Sequence, residues 1–505
     1  MKEETKLKLN KFGALATRFI ESDWWIALNL IIVFIGWVSS GWYVVLPILV
    51  VANVLPLFFF RGTKHLLPIL YSFVFMINSD RHDLGDYSWL LAFIIILLAG
   101  VVFSLVRFKR DYSPLAPKRI KGFHAALIAL VVPFAFAGVT RPAESPVARV
   151  AALAFIIVVA LGYTFFVLTT REDKDELALY VIKILFCSGL VVCAQAVVYY
   201  ATVCETFDEL RENVILKLID LGWSSANNIA PAIAMAIPAT LYLCIKRNKI
   251  VPLLVLIALF EYLVIICTGS RGTILFTTIA LPIMLLYVMA KTENKLAFGA
   301  SVCVLFALAV GLVVYFGDQV GEILTKMLDK GFDSSGRTET LYPIAIDTFK
   351  NDPIFGAGWD FRIGEIDGNN YSPYWHHSTA LQILADMGIV GAIAFAFFYF
   401  HRYRTFFVLR KKPEAVMLLL SLLIFDAYGM IDTAFFSPPF FIMLLVISLA
   451  VEVALPDDKC RAFGGRDPIA DVKALIANLK ANRKSAPQQA EPEDTASNEN
   501  ENTEE

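Results

Sequence analysis

The 505-residue chain is 57% hydrophobic and only 18% charged, with a formal net charge of −2. A soluble domain carries roughly 25% charged residues, so this composition excludes an ordinary soluble enzyme with a membrane anchor. The net charge says nothing about partners, because basic and acidic residues are segregated along the chain.

Apolar blocks follow one another along the chain, and most approach the roughly 20 residues that cross a bilayer. Backbone amides in hydrocarbon must be hydrogen-bonded within their own segment, so we expect the blocks to be helices. The sequence therefore predicts an all-α, polytopic transmembrane bundle of about 14 spans, within a range of 12–14. The blocks cover residues 24–39, 41–60, 66–79, 88–106, 121–139, 147–169, 177–203, 227–245, 250–267, 272–290, 296–316, 379–400, 415–433 and 436–455.

Basic residues alternate in density between successive connections. If the N-terminus is cytoplasmic, the inner connections are basic, as the positive-inside rule requires. They contain Arg61/Lys64, the run at 107–121, Arg171/Lys174, Lys246/Arg247/Lys249, Lys291/Lys295 and the run from Arg402 to Lys412. The short outer connections hold only Arg81, Arg141, Arg149, Arg211, Lys217 and Arg271. Both termini are therefore predicted to be cytoplasmic.

The domain prediction follows from these spans. Residues 1–316 hold transmembrane helices 1–11, residues 317–378 form a large extracytoplasmic loop, and residues 379–455 hold helices 12–14. Residues 456–505 form a cytoplasmic tail. The tail begins with a short amphipathic helix suited to an anionic leaflet and becomes polar and disordered after Ala486.

The seven cysteines do not form a disulfide or metal-binding pattern. Most lie inside apolar blocks, and neither a Cys-x-x-Cys pair nor a Cys/His spacing occurs, so a zinc site is not expected. The ionisable residues Glu261, Asp426 and Asp432 within the apolar blocks are a separate class. Charges in lipid need a partner or a wet cavity, so these three residues are predicted either to orient nearby arginines or to belong to a proton path.

The outer loop and the following helix carry the densest motifs. Gly336-Arg337-Thr338-Glu339-Thr340 precedes a helix that must start near Thr340, so that Pro343 lies in its first turn. Asn351-Asp352-Pro353 ends that helix, and Gly356-Ala357-Gly358-Trp359 predicts a tight glycine turn. His376-His377-Ser378 then begins the next span, which continues through Asp386-Met387-Gly388.

In these motifs the chain resembles the O-antigen ligase and O-antigen polymerase family. That family has an outer-loop arginine, an apolar-Gly-x-Gly turn and a histidine at the start of the following helix. The element Thr268-Gly269-Ser270-Arg271-Gly272 resembles the family's Ser-Arg-Gly motif, and Asn227-Asn228 resembles an Asn-containing helix start. One departure is Ser378, since Asn is commoner after the histidine. The resemblance covers residues 222–400 by motif and the remainder by span layout.

The resemblance implies a membrane glycosyltransferase of type C-like architecture. It would transfer a glycan from a polyprenyl (undecaprenyl) diphosphate to an acceptor hydroxyl outside the cytoplasm, with inversion at the anomeric carbon. A diphosphate leaving group needs charge balance, which a planar guanidinium supplies, and a hydroxyl nucleophile gains from a base such as histidine. We therefore expect His377 to be the base and Arg271 and Arg337 to clamp the diphosphate.

Four further residues are candidate substrate contacts. They are Arg211, Arg141, His376 and Trp359. Each also has a plainer interpretation: a solvated arginine, an exposed histidine, or a member of an interfacial aromatic belt.

The resemblance also bears on cofactors, partners and location. No cofactor, metal ion or nucleotide sugar is expected, because the lipid already activates the donor and arginines can balance its charge. The predicted partners are the lipid-linked donor, a glycan or lipid-glycan acceptor, membrane lipids and other polysaccharide-assembly proteins, with no nucleic acid. The predicted location is the bacterial cytoplasmic membrane.

Several alternatives stay open at this stage. The motifs do not separate a ligase from a polymerase, and a peptidoglycan-type polymerase of the shape-and-division family has a similar layout. A polysaccharide flippase or ion-coupled transporter is the main rival from another class, although transporters bind near the bilayer midplane on broken helices. A further alternative is a structural membrane protein that only assembles other enzymes.

Overall fold

The computed structural model describes residues 13–78, 91–141, 146–170, 174, 176–246, 248–315, 317, 321, 325, 337–359, 363–366, 369–371, 375–456, 459–464 and 466–485. The predictions for the N-terminus before Gly13 and for disorder after Ala486 lie outside these residues. So do Arg81, Arg171 and most of the loop before Arg337.

Helices dominate the described part of the chain, as predicted. In chain order they are α1 (Gly13–Ile20), α2 (Asp23–Val38), α3 (Trp42–Val54), α4 (Leu67–Ser72), α5 (Leu91–Arg107), α6 (Gly122–Ala129), α7 (Val131–Phe136), α8 (Pro146–Thr169), α9 (Leu177–Val203), α10 (Phe207–Leu216), α11 (Ala226–Ala234), α12 (Ile237–Lys246), α13 (Val251–Cys267), α14 (Arg271–Lys291), α15 (Lys295–Tyr315), α16 (Tyr342–Asn351), α17 (Thr379–Val408), α18 (Pro413–Gly429), α19 (Pro438–Val453) and α20 (Pro468–Ser485). The strands β1 (Ile363–Ile366) and β2 (Asn369–Tyr371) form a small antiparallel pair in the predicted outer loop. The helical membrane-protein fold predicted from composition is therefore confirmed.

Each predicted apolar block coincides with helical structure, but the helices differ in length. Six helices in the described residues are long and apolar enough to cross a membrane, or seven if α1 and α2, bent by 62°, form one broken span. The six cover Arg149–Thr169, Leu177–Val203, Ala226–Lys246, Arg271–Lys291, Lys295–Tyr315 and Thr379–Val408. Shorter apolar helices such as Lys64–Met76 fall below the roughly 20 residues of a full crossing. The count of about 14 full spans stays a prediction.

The bundle has a buried centre and a lipid-facing periphery. In the apolar stretch of Ala226–Lys246, 89% of the residues are buried within the protein, whereas in that of Lys295–Tyr315 the share is 6%. Because a membrane offers apolar solvent to an outer helix, an apolar surface on α15 needs no protein cover.

Contacts between connecting segments join regions predicted to lie on the same side of the membrane. At one end, the Arg110 guanidinium bonds to the carbonyl oxygen of Arg61, and Lys246 lies 3.6 Å from Glu414. At the other end, Trp37 Nε1 donates to the Leu221 carbonyl oxygen at 2.7 Å. We call these the basic end and the site end. Placement of the basic end and both termini in the cytoplasm stays a prediction.

Two of the three ionisable residues predicted within spans have partners inside the bundle. Thr240 Oγ1 donates to both oxygens of Glu261, at 3.0 and 2.8 Å. Asp426 pairs with Arg402, whose side chain is fully buried. The assignment of Arg402 to a basic inner connection is therefore wrong. Burial of an arginine within a bundle requires a counter-ion, and Asp426 supplies it from the adjacent helix.

Candidate active site at the site end

Four chain segments meet at the site end. They are the start of α14 at Arg271, the π-helical turn Arg337–Leu341, the segment before α17 at His377, and the connection after α18 at Asp432. Gly272 lies where α14 approaches the connection after α18. A Cβ atom at Gly272 would lie 2.3 Å from Cδ1 of Ile431 and 3.3 Å from the Tyr428 ring, so the start of α14 packs closely against the end of α18.

Asp432 is the centre of this cluster. Its Oδ1 lies 3.5 Å from Nδ1 of His377, and its Oδ2 lies 3.7 Å from Nη2 of Arg337. Tyr428 donates its hydroxyl hydrogen to Oδ2 at 2.8 Å, and the amide of Thr433 donates to Oδ1 at 2.7 Å. One carboxylate therefore contacts both the predicted base and one predicted clamp.

The Asp432 carboxyl lies in the connection beyond the end of α18 and is buried. Burial alone raises its pKa, but the nearby His377 ring, with hydrogen bonds from Tyr428 and Thr433, outweighs burial and holds the pKa below its usual value. Asp432 is therefore ionised at neutral pH. It was grouped with the membrane-embedded acids from sequence, and of those three it alone contacts a predicted site arginine.

His377 has an unusual backbone. Its φ is +49°, in the left-handed region that most side chains avoid and that histidine tolerates better than bulky residues. Its carbonyl oxygen accepts a hydrogen bond from Tyr342 at 3.4 Å, and Ser378 caps α17 through the amide of Leu381. The side chain is 32% exposed. With Nδ1 directed at Asp432, Nε2 is the ring nitrogen able to meet a ligand.

His376 occupies a different environment. The residue is 1% exposed, its ring hydrogen-bonds to the Leu341 backbone, and its amide donates to Gln382 Oε1 at 2.9 Å. Gln382 in turn donates to Asp386 at 2.8 Å. Burial lowers the pKa of His376 to about 4, against the Leu341 hydrogen bond and together with the charge of His377. The neutral His376 ring thus holds the segment before α17 in place.

The two predicted clamp arginines act on each other. Arg337 donates to the Ile431 carbonyl oxygen as well as contacting Asp432. Arg271 is half-buried at the start of α14, close enough to Arg337 for their charges to repel. A bound dianion between them would relieve this repulsion.

The glycine turn is bound to a break in α17. At Gly388 the backbone leaves helical geometry, with φ +61° and ψ −154°. In place of hydrogen bonds within the helix, the carbonyl groups of Ala385 and Asp386 accept hydrogen bonds from the amides of Ala357 and Gly358, at 2.8 and 2.9 Å. The amides of Ile389 and Val390 instead donate to the carbonyl groups of Pro353 and Ile354, at 2.8 and 3.1 Å. The turn thus satisfies all four backbone groups that the break releases.

Positive φ values explain the glycines at this junction. Gly356, Gly358 and Gly388 have φ of +66°, +90° and +61°. A Cβ atom at Gly356 would lie 2.2 Å from the carbonyl carbon of Asp386. The predicted glycine turn is confirmed, and so is the helix start: Pro343 lies in the first turn of α16.

Three predicted substrate contacts lie outside the Asp432 cluster. Arg141 pairs with Asp352 beside the glycine turn, and Arg211 lies 3.2 Å from Asp208 on α10. Trp359 stacks on Phe134 with ring centroids 5.2 Å apart and meets Phe436 edge-on at the same separation. Their predicted role in substrate binding stays a prediction.

The sequence did not single out Tyr428, Tyr342 or Gln382. Tyr428 lies four residues before Asp432 on the chain and could have been found as its helical neighbour. Tyr342 and Gln382 carry no such signal. Among the described residues, no group of three or more His, Cys, Asp or Glu side chains is placed to hold a metal ion.

Comparison with known proteins gives one informative match. A family model described as O-antigen ligase matches residues 232–396, a segment that contains Arg271, Arg337, His377 and the glycine turn but not Asp432. A search of curated proteins finds no match to the chain. The resemblance drawn from the motifs is thereby confirmed. This chain is an integral membrane protein of helical architecture in which residues 232–396 match the O-antigen ligase family.

Proposed function

We propose that this protein transfers or polymerises a glycan carried on a polyprenyl diphosphate, using an acceptor hydroxyl outside the cytoplasm of a bacterial cell. The family match supports glycan transfer in polysaccharide synthesis. The observation that carries the finer proposal is the cluster in which Asp432 contacts both His377 and Arg337, with Arg271 beside them.

The proposed donor site is the space between the two arginines. A guanidinium stays charged and offers paired N–H donors to phosphate oxygens. Arg337 is held on one side by the Ile431 carbonyl group and Asp432, which leaves its orientation little freedom. Charge developing on the departing diphosphate is then stabilised by Arg271 and Arg337, and the reaction as proposed needs no metal ion.

The proposed base is His377. Nε2 takes the proton from the acceptor hydroxyl as that oxygen attacks the anomeric carbon. The bond from this carbon to the diphosphate oxygen breaks, and the electron pair leaves with the lipid diphosphate. The attack inverts the anomeric configuration. Asp432, through Nδ1, keeps the ring in the required tautomer and stabilises the imidazolium formed.

The transporter alternative has less support. Transporters bind ions and substrates at the free backbone groups of broken helices near the midplane. The break in α17 at Gly388 has those groups bound by residues 353–358 of the same chain. Nothing in the described residues favours the scaffold alternative.

Substitution of His377 by glycine offers a sharp test. Glycine suits the φ of +49° and leaves a space that free imidazole can fill. Transfer from a purified lipid-linked donor should fall about 100-fold or more and should recover in part when imidazole is added. Lys350→Ala, an exposed change on α16, should transfer normally. Undiminished transfer by a folded His377→Gly protein would rule out His377 as the base.

Two further measurements complete the assignment. Excess chelator should leave transfer unchanged if no metal takes part. Deletion of the gene distinguishes a polymerase from a ligase. Single lipid-linked repeat units would accumulate if the protein is a polymerase, whereas long lipid-linked chains would accumulate if it is a ligase.

A further inference from the structure

The helix α20 presents an uncovered apolar surface. Ile469, Val472, Leu475 and Ile476 are 53%, 54%, 58% and 46% exposed. At 100° per residue these four side chains fall within an arc of about 120°. A continuous stripe of this kind in water favours association with another apolar phase.

Basic residues border the stripe. On the same helical projection the exposed Lys473 lies along one edge, about 40° from Ile469. The sequence of the last turns of the helix adds Lys480, Arg483 and Lys484. Long basic side chains beside an apolar face reach from a buried helix to lipid phosphates. Asp471 and Asn478, which favour water, lie beyond the other edge of the stripe, about 40° and 60° from Leu475. The charge pattern therefore matches an anionic lipid surface.

The segment before α20 is attached to the basic end of the bundle. The amide of Gly122 donates to the carbonyl group of Cys460 at 2.8 Å, and the amide of Ala462 donates to the carbonyl group of Ile120 at 2.9 Å. Because α6 begins at Gly122, these bonds hold the chain at the start of an apolar helix of the bundle. The neighbouring Phe463 is 44% exposed and extends the apolar surface toward the bundle.

We propose that α20 lies flat on the anionic membrane surface at the basic end, with its apolar stripe in the headgroup boundary and its lysines on lipid phosphates. This attachment is independent of the transfer reaction proposed above. The apolar stripe and the basic residues beside it together fit an anionic lipid surface. The backbone hydrogen bonds at Cys460 and Ala462 hold the start of this segment at the basic end of the bundle.

Hydrogen–deuterium exchange on the full-length protein in lipid nanodiscs tests this attachment. Discs of phosphatidylcholine alone are compared with discs that also contain phosphatidylglycerol. Amides of residues 469–485 should exchange about tenfold more slowly in the anionic discs, since each basic residue near such a surface contributes to binding. Added salt should reduce the difference.

Two matched variants add the same charge to opposite faces. Val472→Asp interrupts the stripe and should remove the protection, whereas Ala474→Asp lies opposite the stripe and should keep it. Equal exchange in both disc types would overturn the proposal. Protection that persists in detergent would also overturn it, because the stripe would then lie against the protein itself. The same holds if Ala474→Asp reduces the protection as much as Val472→Asp does.

Discussion

Asp432 and His377 come from separate segments, yet the Asp432 carboxylate lies 3.5 Å from Nδ1 of His377. The same carboxylate lies 3.7 Å from Arg337. Loss of its charge should therefore disturb the proposed base and the proposed clamp together. This coupling distinguishes Asp432 from a residue that merely stabilises the fold.

Asp432→Asn should lower the rate constant of transfer about 100-fold, because the amide no longer stabilises an imidazolium at His377. The KM for the lipid-linked donor should rise as well, since Arg337 loses an ionic contact. Steady-state transfer measurements separate the two effects. Asp347→Asn, a change to an exposed carboxylate on α16, should alter neither. A folded Asp432→Asn protein with normal kinetics would contradict the role of Asp432.

Arg271→Lys and Arg337→Lys should each weaken binding of a polyprenyl diphosphate about tenfold or more. Lysine keeps the charge but loses the paired N–H donors, and a hydrogen bond to a charged group contributes about 1.5–3 kcal/mol. Titration of the purified protein with the lipid diphosphate measures the change. Equal affinity in all variants would exclude both arginines as clamps.

The same titration tests Arg141 and Arg211 as donor contacts. We expect smaller losses on substitution by lysine, because Arg141 is paired with Asp352 and Arg211 with Asp208. A loss as large as that of Arg271→Lys would instead place either residue in direct contact with the diphosphate.

Gly388→Ala should destabilise the protein severely. A Cβ atom there would lie 2.5 Å from the carbonyl oxygen of Ile354, and alanine disfavours the φ of +61°. The combined cost is about 3 kcal/mol or more. Gly162→Ala is the matched control, because nothing lies within 4 Å of its added Cβ and alanine is favoured in a helix interior. Thermal unfolding in detergent should show a large fall in the unfolding temperature for Gly388→Ala only.

His376 makes stability depend on pH. Its pKa falls from 6.5 in the unfolded chain to about 4 in the folded protein, so between these values the unfolded state binds the additional proton. Stability contributed by the neutral ring is full above pH 6.5 and declines as the pH falls toward 4. At about pH 5 the loss approaches 2 kcal/mol. His376→Gln should flatten the pH dependence of the unfolding temperature over this window, and an unchanged slope would contradict the assignment.

Much of the architecture was readable from the sequence, for two physical reasons. Long apolar blocks in lipid have to satisfy their own backbone groups, so helices follow from composition. Glycines and prolines restrict or release φ locally, so the turn at Gly356 and the start of α16 near Pro343 could be predicted from neighbouring residues.

Tertiary structure decided which charges meet. Asp426 and Asp432 were equivalent in sequence, yet one is bound to the buried Arg402 and the other to His377 and Arg337. Likewise His376 and His377 are adjacent, but backbone geometry buries one ring and directs the other at Asp432. Pairing of side chains from distant segments depends on helix packing and on the direction of each side chain, which no local pattern encodes.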